Sequence, residues 1–375
     1  MMMRILYFSR DYTTHDHRFL SSLVETAHEV AFLQLERRGH ALEDRPLPSE
    51  IRLIPWVGGQ SPVTIRDGPK LVIDLRKVIR EFKPDLIQAG PVQRCAFLAA
   101  LSGFEPLVTM SWGYDLLHDV HQGRAWEWAT RFTLKHSAAM VGDCATIRDL
   151  AIQYGMIAER IVTFPWGANI QKYTPAPAAN LPAVRERLGW DKDTFVLLSV
   201  RNWAPIYAVD DLAKAFVKAA RKHPELRLLM LGNGPLAPKI RRIFQQGGVI
   251  DQVHFPGQVP QAKLPDFYRA ADLYISTSHS DGTSISLLEA LASGLPVLLS
   301  DIPGNKEWVR QPGQVGWLFR DGDVDSLTNG ILHAVENWAQ LPMMGGAARQ
   351  LAEVRGDWTK NFPNLFKAYE IAITQ

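Results

Sequence analysis

Two doubly wound α/β domains in tandem are predicted by this 375-residue sequence, and three observations carry the prediction. Short runs without a charged residue recur along the chain. Stretches with apolar residues three and four apart separate them. An uncharged, proline-rich segment near the middle breaks the pattern, which then restarts. Uncharged apolar runs suit parallel strands covered on both faces. Their alternation with helices implies right-handed crossovers and a parallel sheet.

Taken in order, the first half predicts strands at residues 5–9, 30–35, 86–89, 107–110, 138–141 and 161–164, with helical spacing at 71–79 and 126–134. Between Tyr173 and Pro182 stand three prolines and no charge. Proline fixes φ and removes a donor, so this stretch is neither helix nor interior strand. Residues 174–182 therefore read as a linker between a first domain, 1–173, and a second, 183–355. The second half predicts strands at 195–200, 226–231, 253–255, 273–276 and 296–299. Helices are expected at 210–220 and 236–244, with two or more after Val324. Phe362, Leu365, Phe366, Tyr369 and Ile373 fall at amphipathic helical spacing, and Pro363 suits its first turn, where a missing N–H costs nothing. A helix within 356–375 is expected to pack back on the first domain. Sheets of this kind bind ligands at the carboxyl ends of their strands, and the cleft between two facing domains is the expected site.

Composition narrows the function. Lys and Arg number 41 against 39 Asp and Glu, a balance of +2, whereas a dedicated nucleic-acid binder needs a basic face. No apolar run approaches the ~20 residues of a membrane span. The first residues carry no apolar core followed by a small-residue cleavage site, and Cys95 and Cys144 cannot build a disulfide framework or a four-cysteine zinc site. A reduced, cytoplasmic protein is the expectation. His15 and His17 have no Cys/His partner cluster, so no metal is expected.

The most informative stretch runs from Ser278 to Val297. Gly282, Thr283 and Ser284 sit where a loop turns into a helix, where free N–H groups and the helix dipole attract phosphate. Asp281 precedes that helix and Glu289 lies inside it, so both carboxylates can face one ligand. The same residues also fit a bland reading, with Ser286 and Glu289 as a capping box and Gly294 as the helix-ending glycine.

The spacing Asp281 to Glu289, followed by Ala290-Leu291-Ala292-Ser293-Gly294-Leu295-Pro296-Val297, resembles the signature of the family 4 glycosyltransferases. Those are retaining enzymes of the GT-B fold, with two Rossmann-like domains facing a cleft. Phe164-Pro165-Trp166-Gly167-Ala168-Asn169, Leu229-Met230-Leu231-Gly232-Asn233-Gly234-Pro235-Leu236 and His254-Phe255-Pro256-Gly257-Gln258-Val259 resemble further family segments in the family's order. The resemblance implies that Glu289 accepts from donor ribose hydroxyls and that Asp281 binds a hydroxyl of the transferred sugar. It implies that the backbone of Gly282, Thr283 and Ser284 holds sugar or diphosphate oxygens, that Val259 meets the base through its backbone, and that Arg201 binds the diphosphate. A guanidinium suits that task because its planar fork donates two bonds and stays charged.

Three departures stand out. Asp281 is one methylene shorter than the family's usual Glu. The lysine that usually follows the arginine is missing: Ile206 or Tyr207 stands there, which makes Lys306 the preferred substitute cation. Ser111-Trp112-Gly113-Tyr114-Asp115 lacks the family's sugar-contacting histidine. Arg10, His15 and Asp115 are acceptor-side candidates, although a turn-capping role suits Asp115 equally well, and Asp16 can cap the first helix.

The implied activity is retaining transfer of a hexose from a nucleotide-diphosphate sugar, with a UDP- or GDP-sugar expected, to a glycan, lipid-linked or small-molecule acceptor. This is the chemistry of polysaccharide biosynthesis, with no cofactor. A sugar-nucleotide epimerase and a degenerate binder without turnover are the alternatives. A nicotinamide oxidoreductase is disfavoured, because no strand is followed by Gly-x-Gly-x-x-Gly. Relatives that extend lipid-linked glycans leave peripheral contact with the inner membrane face open, yet no basic run or clear basic amphipathic helix in the sequence argues for it.

Overall fold

A computed structural model describes residues 2–37, 43–59, 62–176 and 182–375. The chain divides into two compact units. The first comprises Met1–Phe164 and Phe362–Gln375, the second Pro165–Asn361. Residues 165–176, which the sequence reading divided between the first domain and the linker, belong to the second unit. Of the expected linker, 177–181 lie outside the described residues.

The first unit is a seven-stranded sheet. Its strands are β1 (Arg4–Ser9), β2 (Glu29–Gln34), β3 (Arg52–Leu53), β4 (Leu86–Gly90), β5 (Leu107–Met110), β6 (Ala139–Gly142) and β7 (Ile161–Thr163). They lie in the order β3-β2-β1-β4-β5-β6-β7, and every pairing is parallel. The second unit holds β8 (Phe195–Val200), β9 (Leu226–Leu231), β10 (Val253–Gly257), β11 (Leu273–Ser276), β12 (Val297–Ser300) and β13 (Gly316–Phe319). Their order, β10-β9-β8-β11-β12-β13, is the same winding, again all parallel. In each unit the winding reverses beside its first strand, between β1 and β4 and between β8 and β11. Doubly wound sheets bind ligands outside the strand ends at such a reversal.

Burial explains why the strands read as apolar runs. Phe195 and Leu197 of β8 join one core layer with Phe216, Leu228, Met230 and Phe244. Val196 and Leu198 join the opposite layer with Leu229, Leu231, Tyr268, Tyr274, Leu287 and Leu291. Both faces of the strand are covered, so no polar position is left to alternate.

The helix Asn364–Ile373 seats on the first unit's sheet, as its spacing predicts. Leu365 and Tyr369 are buried, and the Tyr369 hydroxyl donates to Gln88 Oε1 in β4. Pro363 sits one residue before the helix as its cap rather than inside its first turn. The first helix, Thr14–Val24, is capped by Thr13, whose side chain accepts from Asp16 N while the Asp16 carboxylate accepts from Thr13 N at 2.9 Å. Asp16 is thus the reciprocal member of a capping box rather than the cap itself. Two short edge strands have no counterpart in the sequence reading. β3 has two residues, both exposed, and β13 opens on Gly316 with half-buried residues, so neither leaves an apolar run.

Candidate active site

Arg201 is the first residue beyond β8, and the Thr277–Ser284 loop follows β11, so both lie where the second sheet reverses its winding. The Arg201 side chain is 11% exposed. Its Nη2 donates to Asp281 Oδ2 at 2.5 Å, and its Nη1 to the hydroxyls of Ser284 at 2.6 Å and Ser286 at 3.3 Å. The Tyr207 ring lies over the guanidinium, with its centre 4.3 Å from Cζ. Nε is buried and has no partner among the described residues. Burial alone would depress the Arg201 pKa, but the Asp281 charge and the neighbouring phenols of Tyr207 and Tyr274 raise it further, so the group stays cationic.

Two glycines explain how the arginine is held there. Gly232 sits at φ +101, and a side chain on it would reach within 2.3 Å of the Arg201 carbonyl. One on Gly234 would meet the Trp203 carbonyl at 2.7 Å. The Gly232-Asn233-Gly234 turn thus packs directly on the backbone of residues 201–203, where any larger residue would displace it. Trp203 N donates to Asn233 O at 3.0 Å, which fixes the same contact.

The helix Ile285–Ala292 begins after Ser284, whose side chain does not cap it. The hydroxyl is turned to Arg201 and Ser286 instead, and an uncapped helix N-terminus presents its N–H groups to anions. Glu289 is the fifth residue of this helix, so the expected Ser286–Glu289 capping box does not form. Its buried carboxylate accepts from the Tyr268 hydroxyl at 2.8 Å. The same hydroxyl reaches Ser286 O at 3.2 Å, and Tyr274 bonds Ser286 Oγ at 2.8 Å. Burial first, then the Glu289 charge, pushes the Tyr268 phenol far above its ordinary pKa, so it remains a donor. Asp281, Arg201, Ser284, Ser286, Tyr268, Tyr274 and Glu289 therefore form one connected polar network.

Other expected residues fall into place differently. Thr283 is buried, and its Oγ1 lies 3.5 Å from Trp308 Nε1. Gly282 is backed by Gly304, on which a Cβ would approach Gly282 O to 2.2 Å. Val259 is half-buried against the second core layer. Lys306, the expected substitute cation, is 57% exposed and paired with Asp301 at 3.0 Å.

In the first unit, Arg10 follows β1 and pairs through Nε with Glu36 Oε1 at 2.5 Å. His15 lies against Trp112, ring centres 5.1 Å apart, with a buried Nδ1 that has no partner among the described residues. Burial and the nearby Arg18 push its pKa down to about 4, so the imidazole is neutral. Asp115 is not open to an acceptor. It is fully buried and accepts from Ser111 Oγ at 2.5 Å, Val92 N at 3.0 Å, Leu116 N at 3.0 Å and Trp112 N at 3.3 Å, tying the loop after β5 to the turn after β4. Among the described residues no cluster of three or more His, Cys, Asp or Glu could hold a metal ion, and no helix is long and apolar enough to cross a membrane.

Residues 182–351 match the family model for glycosyl transferases group 1, and residues 13–167 match that for the glycosyl transferase 4-like domain. The chain belongs to the family 4 glycosyltransferases. A D-inositol 3-phosphate glycosyltransferase of Thermobispora bispora is 28% identical over 289 residues, covering 70% of this chain and 66% of that one. A GDP-mannose-dependent alpha-(1-6)-phosphatidylinositol monomannoside mannosyltransferase of Mycobacterium tuberculosis is 24% identical over 307 residues, covering 78% and 77%. Among solved structures, Anabaena Alr3699/HepE in complex with UDP and glucose superposes with a TM-score of 0.81 at 18% identity, covering 98% of this chain and 99% of that one. The two sheets are accordingly those of the GT-B fold, and this family 4 glycosyltransferase carries its polar network in the unit that matches the group 1 model.

The tyrosines of the network were not singled out from sequence. Tyr274 lay unremarked within the predicted strand 273–276, and Tyr268 fell in no predicted element. A phenol in a buried position needs a hydrogen-bond partner, and that was the available signal.

Proposed function

We propose that this glycosyltransferase takes its sugar from a nucleoside diphosphate carrier and transfers it with retention of configuration. The observation that carries the reading is the network joining Arg201, Asp281 and Glu289 at the reversal point of the second sheet. Arg201 holds the diphosphate and stabilises its charge as the sugar bond breaks, with the uncapped start of the helix Ile285–Ala292 adding its N–H groups. Glu289 receives the ribose hydroxyls, and Asp281 a hydroxyl of the sugar. The departing diphosphate takes the acceptor proton on the face where the acceptor attacks, so no protein nucleophile is needed. The names of relatives and neighbours that bind UDP or depend on GDP-mannose support a UDP- or GDP-sugar.

The acceptor is a glycan or a lipid-linked glycan met at an anionic membrane surface. Two helices of the first unit support this, against the sequence reading that found no basic amphipathic helix. In Gly68–Phe82, Leu71, Leu75, Val78 and Phe82 face inward, while Lys70, Ile73, Arg76, Lys77 and Arg80 line the exposed side. Trp128, 56% exposed, stacks on Phe132 in Arg124–Lys135. Together the two helices hold seven Lys and Arg against three Asp and Glu, in a chain whose balance is only +2. Basic residues around exposed aromatic and aliphatic side chains fit an anionic bilayer.

Calorimetric titration with UDP, GDP, ADP and dTDP tests the donor reading. One nucleotide should bind wild type, at least tenfold more weakly to Glu289→Ala and Arg201→Ala, and Arg201→Ala should lower the transfer rate about 10²- to 10³-fold. Transfer at the wild-type rate by Arg201→Ala would exclude the assignment.

A further inference from the structure

We infer that Asp281 makes this site discriminate between a sugar-bearing nucleotide and the bare nucleoside diphosphate that remains after transfer. The inference rests on the donor reading above and goes beyond it by assigning Asp281 a task on the diphosphate side of the site.

Arg201 is already engaged on three sides. The carboxylate of Asp281 takes Nη2, the hydroxyls of Ser284 and Ser286 take Nη1, and the Tyr207 ring covers one face. Nε has no partner but is buried, so a diphosphate that takes its two bonds from Nη1 and Nη2 displaces Asp281 from Nη2. The backbone that carries the displaced carboxylate has little room to withdraw. Behind the Asp281–Gly282 backbone stands Gly304, close enough that a Cβ there would lie 2.2 Å from Gly282 O and 2.7 Å from Asp281 O. Asp281 is only 22% exposed, so solvent screens it weakly. It therefore stays beside the phosphates, as an anion next to anions.

What then faces Asp281 differs between the two ligands. In a nucleotide sugar the displaced carboxylate accepts from sugar hydroxyls, and the diphosphate is a diester. In the bare diphosphate no hydroxyl is offered. The terminal phosphate also carries close to one further negative charge, because its last proton leaves near pH 6. The repulsion thus falls mainly on the product. When the sugar has moved to the acceptor, Asp281 returns to Arg201 and drives the nucleoside diphosphate off.

The test compares UDP with UDP-glucose and GDP with GDP-mannose on full-length wild type, Asp281→Asn, Asp281→Glu and Arg201→Ala. Calorimetry gives the affinities, and product inhibition of transfer gives a second readout. Asp281→Asn keeps the size of the side chain and removes its charge. It should bind the bare diphosphate at least tenfold more tightly than wild type and narrow the preference for the sugar nucleotide. Asp281→Glu keeps the charge and should keep the preference. Bare diphosphate bound no more tightly by Asp281→Asn, while Arg201→Ala loses binding, would overturn the inference and leave the donor reading standing. The same holds if Asp281→Glu loses the preference as Asp281→Asn does. Binding left intact in Arg201→Ala would remove both.

Discussion

His15 stands beside Trp112 with its imidazole neutral, and its proton equilibrium is a handle on the stability of the first unit. Unfolded, a histidine takes a proton near pH 6.5; here it does so only near about 4. Between those values the unfolded chain holds a proton that the folded chain refuses, so the stabilising contribution is lost as pH falls. Asp16, pushed up by burial to about 6 from 3.8, slopes the opposite way over nearly the same range. The effect of His15 is therefore read by difference. The melting-temperature gap between wild type and His15→Asn should shrink from pH 7 to pH 4.5, by the equivalent of about 2 kcal/mol, and a gap independent of pH would refute the assignment. Single residues also show where sequence reasoning stops. Arg201, Asp281 and Glu289 were singled out by their resemblance to the family's segments, since the local pattern alone fitted a capping box as well; the structure adds the network that joins them. Asp115 was legible in its turn-capping reading, since it accepts from Trp112 N and Leu116 N, but its bond from Val92 N, on a segment 23 residues away, left no local sign. Lys306 lay near enough in sequence to be a candidate, yet its side chain turns to Asp301.

Secondary elements carry information of a different kind. The inner strands announce themselves because both faces are buried, whereas β3 and β13 hold too few buried residues to leave a pattern. The helix Gly68–Phe82 was recognised by its apolar face, but its opposite face was passed over. Cations at Lys70, Arg76, Lys77 and Arg80 form no run in the sequence; they become a stripe only when wound at 3.6 residues per turn. The second basic helix starts more than forty residues later and packs, like the first, on the helix Phe97–Ser102. Vesicles of phosphatidylcholine with phosphatidylglycerol measure what this face does. Wild type should sediment with them and not with phosphatidylcholine alone. At about 1 kcal/mol per basic residue near an anionic surface, Arg76→Glu with Arg80→Glu should weaken binding at least tenfold, and Trp128→Ala should weaken it as well. Equal sedimentation of wild type and the charge-reversed variant would remove the membrane from the proposal.

For the molecule as a whole, the decisive fact is that the chain enters the first unit, builds the second, and returns to finish the first. Both sheets were predicted from the recurrence of apolar runs, and the last helix from its amphipathic spacing. The exact crossing points, after Phe164 and after Asn361, were not, because Phe164–Asn169 resembles the family segment that closes the first domain, whereas tertiary contacts hold residues 165–173 to the second unit. Trp358 N donates to Ala168 O at 3.0 Å, and Arg349 Nη1 donates to the carbonyls of Ile170, Tyr173 and Ala292. Residues 165–361 alone should accordingly melt cooperatively, while residues 1–164 should do so only when a peptide of residues 362–375 is added; a cooperative transition for 1–164 alone would show the returning helix to be dispensable. This topology also dictates an order of biosynthesis. The strands of the first sheet emerge from the ribosome before the second unit, yet the first unit's last helix follows only after the whole second unit has been made. At about 5–20 residues per second, that is a wait of roughly 10–40 s. Throughout it, the seat for Phe362, Phe366 and Tyr369, formed by Phe19, His28 and Gln88, faces water or a chaperone. The half of the protein that is translated first is the half that is completed last.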